Sequence, residues 1–197
     1  MTGRVLVLSD GDLPSLVACA AAAEAAIGAT DAKDRPIVLP FPSSLARHPG
    51  RLASVQRQAE LLSLGLLPVL SPAIESSDGE AEIRDLIAAA YGAARSGIDT
   101  VVWPASAAAG ESFDIDRLAI IADESLLVGR LVALDASRHG VPGIHVETPY
   151  LDLTDVQLAD LAADLAAPLE SLWWWQSDDA QASQARARWA PALERAG

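Results

Sequence analysis

The stretch Arg4-Val5-Leu6-Val7-Leu8-Ser9-Asp10-Gly11-Asp12-Leu13-Pro14-Ser15 decides the fold. Its first five residues form a short apolar run, β-branched at Val5 and Val7, which reads as a buried strand. Asp12 suits a helix N-cap, and Pro14 is tolerated in a first helical turn. The Ala-rich segment from Ser15 to Ile27 then reads as a helix closed by Gly28. A buried strand running through a tight turn into a helix is half of a βαβ unit.

The same alternation continues outward. Pro36–Leu39 is a second strand, Pro40–Ser44 a loop, and Arg51–Leu64 a helix with Leu52, Val55, Ala59 and Leu62 on one face. Leu66–Leu70 is a third strand, irregular at Pro68, and Ser71–Ser77 a loop. Asp78–Arg95 is a helix, Thr100–Trp103 a fourth strand, and Pro104–Ser112 a small-residue loop outside the core. Asp114–His139 is a long helix and Ile144–Glu147 a fifth strand. Thr154-Asp155-Val156-Gln157 has the form of a capping box, opening a helix to about Ala166. The expected fold is a single α/β domain over residues 1–176, with five mostly parallel strands and helices on both faces. Residues 177–197 are expected as a polar tail, helical at its centre.

Composition bounds the function. The chain has 197 residues, 51% of them hydrophobic, so it buries a core and is not disordered. Its 27 acidic against 14 basic residues give a net charge of −13. That balance repels phosphate backbones and anionic lipids, so neither a nucleic acid nor a membrane is an expected partner. The single cysteine, Cys19, excludes an internal disulfide and any zinc site with two thiolates. With no leader-like segment and no long apolar run, the expected compartment is the cytoplasm.

In an open parallel sheet a ligand is expected beyond the carboxyl ends of the strands. Ser9-Asp10-Gly11-Asp12 stands there, at a helix N-terminus whose amides and dipole attract anions. The loop is neither GxGxxG nor GxxxxGK[ST], and Lys33 is the only lysine. Two readings stay open: a phosphate-holding loop, or a plain βα turn capped by Asp10 or Asp12. Both carboxylates oppose bare phosphate unless a magnesium ion bridges them.

Three stretches together resemble the N-type ATP pyrophosphatase, or PP-loop, superfamily, and within it the 7-cyano-7-deazaguanine synthase family of queuosine precursor biosynthesis. Val5–Ser15 stands where that family has its first strand and a Ser-Gly-Gly-x-Asp-Ser loop. Ile83-Arg84-Asp85-Leu86 is similar to the family's Arg-Asn-Leu at a helix start. Glu147–Gln157, continued by Ala167–Trp173, resembles the segment around its last core helix. Phe113–Arg117 corresponds to a substrate loop. The resemblance spans residues 4 to 175 and implies an adenine nucleotide alpha-hydrolase-like, Rossmann-like fold.

The resemblance also implies ATP and magnesium, held at Ser9, Asp10, Gly11, Asp12, Ser15 and Arg84, with substrate near Asp116 and Arg117. It implies cleavage of the α–β bond of ATP as a small carboxylate is activated by adenylation. No catalytic residue is assigned. The sequence departs from the family at two places. Asp10 stands where the family's second position is Gly, in a loop one residue longer, and the zinc cysteines expected after Trp173 are absent. The alternative is therefore a non-catalytic relative that binds a nucleotide or a protein partner. Each of the singled-out residues also has a plain structural role open to it. Asp12 caps a helix, Arg84 pairs with Glu80 or Asp85, and Asp116 favours a helix dipole. Trp173-Trp174-Trp175 cannot all face one core, and a packing or homodimer role is expected for them. The three histidines are dispersed, and no metal site is expected from them.

Overall fold

The central strand β1 (Val5–Ser9) is flanked by β2 (Ile37–Pro40) and β4 (Thr100–Val102), both parallel to it. Leu6 pairs with Ile37 on one side and Val101 on the other. β3 (Gly65–Leu66) and β7 (His145–Glu147) close the two edges, giving the order β3-β2-β1-β4-β7. Side chains alternate across a strand. Leu6 and Leu8 face one core with Leu86, Ile98 and Val128, while Val7 faces the other with Leu16, Leu158 and Trp174. A strand covered on both faces needs no polar positions, which is why β1 reads as an unbroken apolar run.

The structure, a computed structural model, describes residues 4–28, 35–69, 78–138 and 143–196. One face of the sheet carries α4 (Asp78–Arg95) and α5 (Ile115–Arg138). The other carries α1 (Leu13–Ala25), α3 (Gly50–Leu61), α6 (Asp155–Asp164) and α7 (Ala180–Ala196). Asp12 caps α1, its carboxylate accepting from the Leu13 amide at 2.9 Å. Thr154 and Gln157 form the expected capping box at the start of α6.

Three expectations are corrected. Pro42–Leu45 is one helical turn, α2, rather than loop, because the Asp85 carboxylate takes the Ser43 amide at 2.7 Å. The small-residue loop folds into an antiparallel ribbon, β5 (Ala108–Ala109) with β6 (Ser112–Phe113), turned at Gly110 with φ +70°. Ala107, at its base, is core. The third strand is only two residues, and positions 67–69 leave the sheet approaching and passing Pro68. Trp173–Trp175 form a turn, in which Trp173 and Trp174 are buried in the chain's own core and Trp175 is exposed. The loop expected at 71–77 and the last residue of the expected long helix, His139, lie outside the described residues.

The C-terminal segment is more than a polar appendage. α7 buries Ala182 and Trp189 in the same core as α1 and Trp174, and Ala192 is buried too. Arg188 ties it down, holding the buried Asp155 carboxylate through Nη2 at 2.7 Å and Nε at 2.9 Å.

Candidate functional site

Strand order reverses direction between β1 and β4, and a crevice opens beyond their carboxyl ends. A cavity of about 310 Å³ occupies it. β1 leads to Asp10 and Asp12, β2 to Phe41, and β4 to Trp103. Arg47 follows α2, Arg51 comes from α3, Glu82 from α4 and Arg117 from α5. Arg188 and Trp189 close it from α7. A larger cavity, about 520 Å³, lies between the β5–β6 ribbon and α7, with Ala108, Val156, Pro191 and Ala192 in its wall. It lies away from the β1–α1 loop, and only Arg188 is common to both.

The β1–α1 loop is built around two constraints. Gly11 has φ +78°, and a Cβ there would stand 2.9 Å from the Arg51 carbonyl and 3.0 Å from the Ser54 side chain. Only glycine fits. Its carbonyl is fixed from behind by the Ser54 hydroxyl at 3.2 Å and Gln58 Nε2 at 3.3 Å. Ser9 is buried, its hydroxyl accepting from the Gly11 amide at 3.4 Å.

Asp10 fills the hollow of this loop. Its Oδ1 accepts from the Asp12 amide at 3.0 Å and the Ser15 hydroxyl at 2.9 Å. Its Oδ2 accepts from Arg51 Nη1 at 2.6 Å, and the same nitrogen reaches the Asp10 carbonyl at 3.1 Å. A carboxylate of the chain thus takes the donors that a phosphate-binding loop offers its ligand.

Arg51 joins the loop to the tryptophan turn. Its guanidinium lies 4.6 Å over the Trp173 ring, a cation–π contact, and its Nη2 stands 3.9 Å from Asp12 Oδ2. Trp173 packs against His48 at 4.5 Å. The His48 Nδ1 accepts from the Gly50 amide at 3.0 Å, which leaves the proton on Nε2, 2.8 Å from Asp179. The Ser177 hydroxyl, the Ala182 amide and His48 together hold the Asp179 carboxyl well below the ordinary range. Trp174 Nε1 donates to Asp12 Oδ1 at 2.8 Å.

Burial and the adjacent Asp10 charge raise the Asp12 carboxyl above its ordinary value, against the pull of Arg51, Trp174 and the Leu13 amide. Burial raises Glu82 too, opposed by Arg47 and Arg117. The Cys19 thiol, buried in α1, is pushed up to about 12 by desolvation and is no nucleophile.

Of the residues singled out in the sequence, Ser9, Asp10, Gly11, Asp12 and Ser15 come together in the loop. Arg117 reaches the cavity, whereas Asp116 is exposed on the first turn of α5. Arg84 lies on α4 outside the residues lining the cavity, its Nε donating to the Glu80 carbonyl at 3.1 Å. Arg47, Arg51, Glu82, Trp103 and Arg188 were not foreseen. Each is an ordinary polar or aromatic position in its own segment, and only the tertiary fold brings them to one place. Asp10 and Asp12 offer the hard oxygens that magnesium takes, and two carboxylates with ligand phosphates make a usual set. In the structure the Arg51 guanidinium supplies the positive charge between them. Among the described residues no group of three or more His, Cys, Asp or Glu side chains is placed to hold a metal ion. No helix there is long and apolar enough to cross a membrane.

No protein-family model matches the chain, and no curated protein matches it. Among solved structures it is similar to the NMN synthetase of Francisella tularensis, with a TM-score of 0.54 and 13% identity. The match covers 100% of this chain and 87% of that one. The likeness is one of fold: a Rossmann-like α/β domain on a five-stranded parallel sheet.

Proposed function

We propose that this chain is a PP-loop-type protein that binds an adenine nucleotide, ATP with magnesium, in the cavity beyond β1 and β4. The observation that carries this is the convergence of Arg47, Arg51, Arg117 and Arg188 with Phe41, Trp103 and Trp189 on one cavity at the switch point of the sheet. Guanidinium groups suit phosphate, and aromatic walls suit a base. The fold shared with an NMN synthetase supports the same reading. Magnesium would sit between Asp10 and Asp12 and neutralise phosphate charge. Arg51 has to leave one carboxylate for this to happen, and its guanidinium is then free for phosphate. The finer activity, adenylation of a small carboxylate as in the 7-cyano-7-deazaguanine synthase family, is supported by the sequence resemblance alone. Within that reading the role of Arg84 at the phosphates and of Asp116 at the substrate rests on the same resemblance.

A second reading has its own observation. Asp10 already satisfies the loop, so a chain that kept the fold and gave up phosphate binding has the same geometry. Titration by tryptophan fluorescence separates the two, because Trp103 and Trp189 line the cavity. The first reading predicts a saturable change with Mg-ATP in the wild type that weakens in Arg47→Ala and Arg117→Ala. The second predicts no change in the wild type and a new response in Asp10→Gly, where the hollow is vacated.

A further inference from the structure

The outer face of α5 is apolar and uncovered. Its inner face is core, with Ile121, Val128 and Val132 buried. On the other side Ile120 is 58% exposed, Leu127 64%, Leu131 47% and Leu134 64%. At 3.6 residues per turn, Ile120, Leu127 and Leu134 fall within about 20° of one line, and Leu131 about 40° to its side. A continuous stripe of this kind on a chain that also buries two full cores marks an interaction surface.

The charges beside the stripe say what covers it. We propose that a second copy of this chain packs there, α5 against α5, antiparallel about a two-fold axis through Leu127. In that arrangement Leu127 meets its own copy and Ile120 meets the partner's Leu134. Asp123 and Arg130 share one flank of the stripe, and the two-fold brings them level to within about 1.5 Å along the helix. Asp116, near the start of α5, comes level with the partner's Arg138 at its end. All four charged residues are exposed in the monomer. A parallel pairing would instead bring like residues level on opposite flanks of the seam, with no such match of Asp123 to Arg130. Copies carrying −13 each repel over most of their surfaces, so a face with matched charges of both signs is where they meet. This places the dimer contact away from the tryptophan turn.

Sedimentation velocity at micromolar concentration tests the proposal. The wild type is expected as a dimer, and Leu127→Glu, which sets two carboxylates on the axis, as a monomer with unchanged circular dichroism. Asp123→Arg or Arg130→Asp alone is expected to weaken the dimer about tenfold, and the double exchange to restore it. Should Leu127→Glu fail to fold, Leu127→Cys gives an independent reading. It is expected to form a disulfide-linked dimer on oxidation, the native Cys19 being buried, while Leu126→Cys does not. A monomeric wild type, a dimer indifferent to the charge reversals, or cross-linking through position 126 rather than 127 overturns the proposal.

Discussion

Asp12 carries more of the site than its size implies. One carboxylate caps α1, accepts from Trp174 and faces both Asp10 and Arg51. Its carboxyl is raised above 3.8, so between that value and the folded one the folded state holds more protons than the unfolded chain. Stability from this group is full below the window and is lost as pH rises through it. Asp12→Asn keeps an oxygen for the cap and for Trp174 but cannot ionise. Denaturant midpoints measured across the acid range are therefore expected to fall less steeply with rising pH in Asp12→Asn than in the wild type. Trp174→Phe keeps the packing and removes the donor. It is expected to cost about 1–3 kcal/mol, read from urea unfolding, since a carboxylate in a closed site loses a partner. The cap was legible in the sequence, because Asp before Leu-Pro-Ser has few other uses. The Trp174 and Arg51 partnerships were not, since they join residues 162 and about 40 positions away from the loop.

At the scale of elements, strands and helices of ordinary length followed the apolar pattern closely. α4 spans the residues expected, and α5 lies within a residue of its expected limits. Elements held by distant partners did not show. α2 exists because Asp85, 42 residues on, takes the Ser43 amide, and the ribbon turn at Gly110 is held by Asp155. α7 has few large apolar residues and a proline at 191, so its pattern reads as surface, yet Trp189 and Ala192 lie in the core. Its anchorage is testable. Arg188→Ala leaves the Asp155 carboxylate buried without its cation and is expected to cost about 2 kcal/mol, the exposure of Arg188 moderating the loss. Thr154→Ala, which removes one half of the α6 capping box, is expected to cost about 1 kcal/mol. Thermal unfolding of the two variants and their combination reads both.

For the whole molecule, the sheet order puts a crevice between β1 and β4, and seven segments from both ends of the chain fill its walls. The position of such a crevice follows from βα alternation, so the loop that lines it was legible in the sequence. Its arginine lining depends on long-range packing and became visible only in the folded chain. The account stands on nucleotide occupying that crevice. Isothermal titration of the wild type with ATP, ADP and AMP, with and without magnesium, tests this most directly. The prediction is binding in the micromolar range, ATP tighter than AMP and dependent on magnesium. No heat at millimolar nucleotide would contradict it and leave the fold without the phosphate chemistry.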